Sequence, residues 1–329
     1  MVVSRRESSN IEIIRGLAII AVVLIHTCPN GMTQVFARPF INFGVGMFLF
    51  LSGLLTNLDF TNYRKRLTKV LIPYVIWTVF YVYFNYFMNH YIPTFKGMVA
   101  DVVASLINGK SAEMMYFIPV YCQLVLLIPL CRRWAVGQYR LLPLLISPLF
   151  VLLNFYLPLF TSVNINGTLH AVLDWTCLGW FSYFYLGYLI GNRQIQVKVR
   201  KNILLGMVII GMLFQVAESW WLYLSEIGNC GTQLKYSVYF TNYFLCLLAY
   251  LFIVRNKSEM FKALKAIGDN SFGIFFSHIA VIRLLNLIPG YTRIAVFPMN
   301  GIIALAVSYS LVQLVKSNVS PKLSKYLGF

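Results

Sequence analysis

The chain has 329 residues, 59% of them apolar and only 11% charged, where a soluble domain carries roughly 25%, so most of it has no water to face. A formal charge of +17 would suit nucleic acid, but the basic residues sit in short loops between apolar runs, which excludes that partner. The six cysteines (Cys28, Cys122, Cys131, Cys177, Cys230 and Cys246) lie mostly inside those runs. They have neither metal-type nor disulfide-framework spacing and read as small apolar packing residues, so no metal is expected.

A spanning helix needs about 20 mostly apolar residues. The first candidate, 11–29, follows Arg5 and Arg6 and has the outline of a signal peptide. Glu12 and Arg15 interrupt it, however, and Thr27-Cys28-Pro29-Asn30 is a poor small-residue cleavage site, so a retained helix is expected. Further stretches follow at 39–58, 70–89, 115–131, 141–160, 174–191, 202–223, 236–254, 271–288 and 295–315, giving ten in all. A weaker apolar piece, 97–108, reads as a short interfacial or re-entrant helix. With short connections, the expectation is one all-α, polytopic membrane bundle over 1–329, without a separate soluble domain.

The distribution of basic residues gives an independent test. With the N-terminus in the cytoplasm, the alternate inner segments hold 20 of the 27 Lys and Arg residues. The outer segments hold six: Arg38, Lys96, Lys110, Lys235, Arg283 and Arg293. A missed or invented helix would scramble this alternation, so about ten helices with both ends cytoplasmic are predicted.

Ionisable groups inside a spanning helix are functional candidates by default. The first helix carries Glu12, Arg15 and His26. Eleven residues of helix rise about 16 Å and return to within roughly 20° of the same face, which puts Arg15 near the inner boundary and His26 well across toward the outer side. Glu12 lies three residues before Arg15, in position to pair with it. Arg15 alone would read as a snorkelling residue and His26 alone as a core histidine; together they outline a path. Before the third stretch, Arg64, Lys65, Arg66 and Lys69 precede Pro73-Tyr74. Arg66 and Lys69 share a helix face, a basic pair suited to phosphate. Gly44, Gly46 and Gly53 fit close helix packing, with Ser52 placed to bond across helices. Gln123 and His278 are lesser candidates, as are Asp174, Glu113 and Glu218; a carboxylate that orients His26 is sought among these, and the sequence does not say which.

These residues resemble the acyltransferase-3 family of membrane acyltransferases. Glu12-Ile13-Ile14-Arg15 through His26 is similar to that family's acidic-x-x-Arg start and Arg-x10-His motif. Arg66-Leu67-Thr68-Lys69 with Pro73-Tyr74 resembles its Arg-x-x-Arg motif, with Lys69 a point charge where the family has a second planar guanidinium. Phe48 to Gly53, Tyr116 to Pro129 including Gln123, and Ser271-Phe272-Gly273-Ile274 through His278 resemble three further segments, in order along nearly the whole chain. The resemblance implies an acyl-CoA donor, usually acetyl-CoA, and an extracytoplasmic acceptor, commonly a hydroxyl of a cell-surface glycan and sometimes a small molecule, at a bacterial plasma membrane. On that footing the CoA phosphates meet Arg15, Arg66 and Lys69, with Arg64 and Lys65 beside them. The pantetheine arm then reaches His26, which acts as general base or as nucleophile. A proton-coupled transporter or flippase is the main competing reading; it would favour paired broken helices and internal pseudo-symmetry, and neither is evident. A glycan polymerase would want its basic residues in large outer loops, and a purely structural subunit would not need the motif set.

Overall fold

The computed structural model describes residues 4–157, 176–226, 230–256 and 260–329, and these are helical throughout, with no strand among them. The first helix, α1 (Arg5–Thr27), opens with a reciprocal cap: Ser4 Oγ accepts from the Glu7 N–H, while the Glu7 carboxylate accepts from the Ser4 N–H at 2.8 Å. This satisfies two N–H groups that a helix start leaves orphaned. It ends where Cys28 turns extended ahead of Pro29, the conformation that a following proline favours.

Next come α2 (Met32–Ile41), α3 (Gly44–Leu54), α4 (Tyr63–Met88), α5 (Phe95–Asn108), α6 (Phe117–Leu126) and α7 (Ile128–Ala135). A short helix α8 (Ile146–Val151) sits between a 3₁₀ turn, Leu142–Leu145, and a π turn, Leu152–Tyr156. Then follow α9 (Phe181–Gly191), α10 (Lys201–Leu224), α11 (Tyr236–Arg255), α12 (Lys262–Asp269), α13 (Ser271–Asn286), α14 (Tyr291–Ile294), α15 (Met299–Asn318) and α16 (Pro321–Tyr326).

Each predicted stretch contains helix, and helix length among the described residues accounts for fewer than ten full spans. Among the described residues, six helices are long and apolar enough to cross a membrane, or seven if α6 and α7, bent by 52°, count as one. The residues of α13 give about 24 Å of rise, short of the ~30 Å hydrocarbon core. The stretch 141–160 is broken by Pro143 and Pro148 into 3₁₀, α and π pieces; its last residues, 158–160, and the start of 174–191 lie outside the described residues. The apolar piece 97–108 is α5, which buries none of its residues.

α1 is the axis of the bundle, touching α2, α3, α11, α12, α13 and α15. Two glycine contacts set its surroundings. A Cβ on Gly268 would stand 1.8 Å from the Glu12 carbonyl oxygen, and one on Gly16 would stand 2.1 Å from that of Leu264, so α12 lies backbone to backbone on α1. The same device joins α3 to α9, where a Cβ on Gly53 would be 1.9 Å from the Phe184 oxygen and one on Gly187 2.0 Å from that of Phe50. Helices in lipid gain little from hydrophobic exclusion and associate through such close packing, which accounts for the glycines around Ser52. Gly187→Leu is therefore expected to lower the melting temperature markedly or abolish folding, read by size-exclusion chromatography of detergent-solubilised protein. A monodisperse variant with wild-type melting would show that the two helices can separate freely. The outward faces are apolar, with Phe40, Phe87 and Leu213 each more than 60% exposed, as a surface against lipid requires.

Candidate active site

His26 lies on the last full turn of α1, partly exposed. Its ring neighbour is His278 of α13, with centroids 5.3 Å apart and planes tilted by 49°. His278 is fully buried, and its Nδ1 lies 2.8 Å from the Phe275 carbonyl and 3.0 Å from that of Ile274. Carbonyls only accept, so Nδ1 carries the hydrogen and donates. Nε2 is left as an acceptor that no group satisfies, beside a ring able to donate to it. Buried polar atoms without partners are few in a native protein, and this one lies against the residue the sequence singles out.

None of the carboxylates considered as a partner for His26 is seen to take that role. Glu113 accepts from Arg283 at 2.9 and 3.0 Å, and Arg283 also donates to Asn85 Oδ1. Glu218 accepts from the Tyr156 hydroxyl and from the backbone and hydroxyl of Ser237. Asp174 lies outside the described residues.

At the other end of α1, Glu12 and Arg15 pair at 2.7 Å, with the Arg15 side chain one-third exposed. Both residues lie on one unbroken helix with His26, so the rise of about 16 Å between Arg15 and His26 stands. Arg66 is held by four hydrogen bonds. Its Nε donates to Tyr121 Oη at 2.8 Å and its two amino groups to Thr56 Oγ1 at 2.6 Å, Ser52 Oγ at 2.6 Å and the Ser52 carbonyl at 3.3 Å. Its guanidinium also lies over the rings of Phe60 and Tyr121. Every one of these partners is neutral, so Arg66 keeps its full charge and one of its five N–H donors. Beside it, residues 57–62 and Asn192 line an open cleft of about 460 Å³. Arg64, Lys65 and Lys69 are exposed on the first turns of α4.

The remaining candidates brace the bundle. Tyr74 Oη donates to the Ser105 and Leu106 carbonyls at 3.1 and 3.0 Å, tying α4 to α5. Gln123 Oε1 accepts from the Cys177 N–H at 2.8 Å, anchoring α6 to the turn before α9. Ser52 is a clamp for Arg66. Of Ser52, Tyr74, Gln123 and His278, His278 alone meets His26 among the described residues.

Of two cations counted as outer-loop charges, one lies within a span and the other is buried just ahead of one. The helix expected from residue 39 begins at Met32, so Arg38 falls within the span Met32–Leu54. Pro39 mimics a helix start but sits in the helix interior. Arg38 is buried, its Nε has no partner, and the groups that act on it are the thiols of Cys28 and Cys230 and the Tyr116 phenol. Burial pushes the Cys28 thiol up against the opposing influence of Arg38, so Cys28 stays neutral. Lys235, fully buried ahead of α11, donates to Ser219 Oγ and to the Cys230 carbonyl at 2.8 Å. Burial pulls its ammonium down to about 8 against the pull of Glu218. A correct start for α2 would have flagged Arg38, because an intramembrane arginine is a functional signal in itself.

Residues 8–313 match the acyltransferase domain of the acyltransferase-3 family. The chain belongs to that family. Curated relatives include the probable poly-beta-1,6-N-acetyl-D-glucosamine export proteins of Staphylococcus aureus strains MSSA476 and MRSA252, each 27% identical over 292 residues, covering 84% of this chain and 77% of the relative. No solved structure matches it. On α1 of this acyltransferase-family chain the candidate residues thus fall into two groups, Glu12 and Arg15 near its start and His26, beside His278 of α13, near its end. Among the described residues no cluster of ligands suits a metal ion.

Proposed function

We propose that this protein transfers an acyl group, most simply acetyl, from cytoplasmic acyl-CoA to a hydroxyl of an extracytoplasmic glycan. The observation that carries the proposal is the pairing of His26 with His278 at one end of α1, with the Glu12–Arg15 pair and the carboxylate-free Arg66 at the other end, where Leu51 and Leu54, beside the Ser52 that Arg66 bonds, pack on Ile11 and Ile14. The excess of basic residues in alternate loops supports an Arg15 end in the cytoplasm, at the plasma membrane of a bacterium, with both chain termini on that side. Arg15, Lys69, Arg64 and Lys65, with the field of Arg66, attract the CoA phosphates. The pantetheine arm runs along α1 and delivers the thioester to His26.

The resting tautomer of His278 supports His26 as a general base. An acceptor at His278 Nε2 favours a His26 that donates from one nitrogen and keeps the other free to take a proton, the work usually given to a carboxylate. His278→Gln is expected to slow transfer about tenfold and to shift the pH profile of the rate while leaving donor affinity unchanged. A variant whose rate and pH profile both match wild type would remove His278 from this role.

The name of the staphylococcal relatives favours a second reading, export of a glycan. One pair of measurements separates the two. Purified protein is tested for acetyl-CoA binding and acceptor-free CoA release, and proteoliposomes are tested for glycan passage without any acyl-CoA. Acetyl-CoA binding with slow CoA release is the expected result; glycan passage by a protein that binds no acyl-CoA would replace the transferase reading with the export one.

A further inference from the structure

We propose that Arg38 binds the oxygen that becomes negatively charged during acyl transfer. The inference rests on the transferase reading above and adds a residue to it.

The argument begins with charge. Arg38 is buried, and among the described residues no carboxylate pairs with it. Among the described residues its hydrogen bond goes to the neutral Cys28 thiol, and a buried cation without a counter-charge is disfavoured, a cost that an anion formed during the reaction would offset. Lys235 does not relieve this. It is a second buried cation within reach of Arg38, and the carboxylate acting on it is Glu218, already bonded to Tyr156 and Ser237.

Position is the second line. α2 packs on the end of α1 that carries His26, where Ala37 and Ile41 join Ile25 and Cys28 in one apolar cluster; Arg38 follows Ala37 on that helix, and Cys28 lies two residues beyond His26. The backbone around the guanidinium is cut back: a Cβ on Gly231 would stand 3.2 Å from Arg38 Nε and 2.6 Å from Gln34 Oε1. The orphaned Nε is thus a fixed donor in a site of low dielectric, the arrangement that stabilises an oxyanion most effectively.

The step balances as follows. The acceptor oxygen bonds to the acyl carbon while His26 takes the hydroxyl proton. The carbonyl π electrons move onto the acyl oxygen, where Arg38 N–H groups meet them. The carbonyl then re-forms and the C–S bond breaks. Its electrons leave on the CoA sulfur, which takes the proton back from His26, giving ester and free thiol.

The test uses the full-length protein in detergent and compares wild type with Arg38→Ala, Arg38→Lys and Arg38→Gln. Acetyl-CoA affinity, single-turnover CoA release and melting temperature are measured with and without guanidine at millimolar, non-denaturing concentration. The expected result for Arg38→Ala is a 10²–10³-fold slower release with unchanged donor affinity and melting, and partial recovery with guanidine. If Arg38→Ala does not fold, Arg38→Gln and Arg38→Lys carry the same comparison of rate against affinity. Release at the wild-type rate, with only the acceptor KM raised, would make Arg38 an anchor for an anionic acceptor and overturn the proposal. A loss of rate that follows a loss of melting temperature and ignores guanidine would make it structural, with the same consequence. Wild-type protein that neither binds nor cleaves acetyl-CoA overturns the transferase reading and this inference together.

Discussion

His26→Ala is expected to slow acyl transfer by about 10²–10⁴-fold, the usual contribution of a positioned acid–base group, while the protein still folds and still binds acetyl-CoA. Folding should survive because His26 is partly exposed and makes no hydrogen bond among the described residues, and alanine is the best helix former. The strong supports of α1 lie elsewhere, in the Ser4–Glu7 cap and the Gly16–Gly268 contact. Donor binding should survive because the basic groups proposed to attract the phosphates stand near the far end of α1. The check is CoA release in single turnover beside a binding isotherm on the same preparation. A variant within a few-fold of wild type would remove His26 from the chemistry, whatever its neighbour. An acid quench adds a separate discrimination, since labelled acyl retained on the protein would mark His26 as a nucleophile in place of a base.

What the sequence discloses and what it hides both have physical causes. The apolar runs and the alternation of basic loops make the all-helical membrane architecture legible, because lipid leaves the backbone few ways to satisfy itself. The Glu12–Arg15 pair is legible from a spacing of three residues, and the glycines around Ser52 announce close packing. Span lengths are less legible. Hydropathy over 141–160 and 271–288 does not reveal where Pro143 and Pro148 break one helix, or that α13 stops short of a bilayer's thickness. His278 could be placed near a helix but not beside His26, because that contact joins residues far apart in sequence. Arg38 and Lys235 were obscured by the same positive-inside logic that explains the loops: a cation at a predicted boundary reads as a loop charge, and only the true start of α2 puts Arg38 inside.

Arg66 and Lys69 sit one turn apart on α4, and the sequence presents them as one phosphate site; the structure predicts that their variants will behave differently. Arg66→Lys should destabilise the protein by about 2–3 kcal/mol, the scale of a hydrogen bond to a charged group. A lysine keeps the charge but cannot reach Ser52, Thr56 and Tyr121 at once, as the planar fork does. Its removal unties α4 from α3 and α6 at the edge of the cleft formed by residues 57–62 and Asn192. Acetyl-CoA affinity should fall with it, because both the cleft and the remaining free N–H are disturbed. Lys69→Ala, by contrast, removes an exposed charge with no bonded partner among the described residues. It should leave melting unchanged, weaken acetyl-CoA binding several-fold, and flatten the dependence of that binding on salt, as loss of a screened surface charge does. The comparison is a melting curve and a donor isotherm at two ionic strengths for each variant. Equal melting for Arg66→Lys and wild type would show that the clamp contributes little. Unchanged donor affinity in both variants would move the phosphate site away from α4, leaving Arg15 as the cation at the mouth of the path to His26.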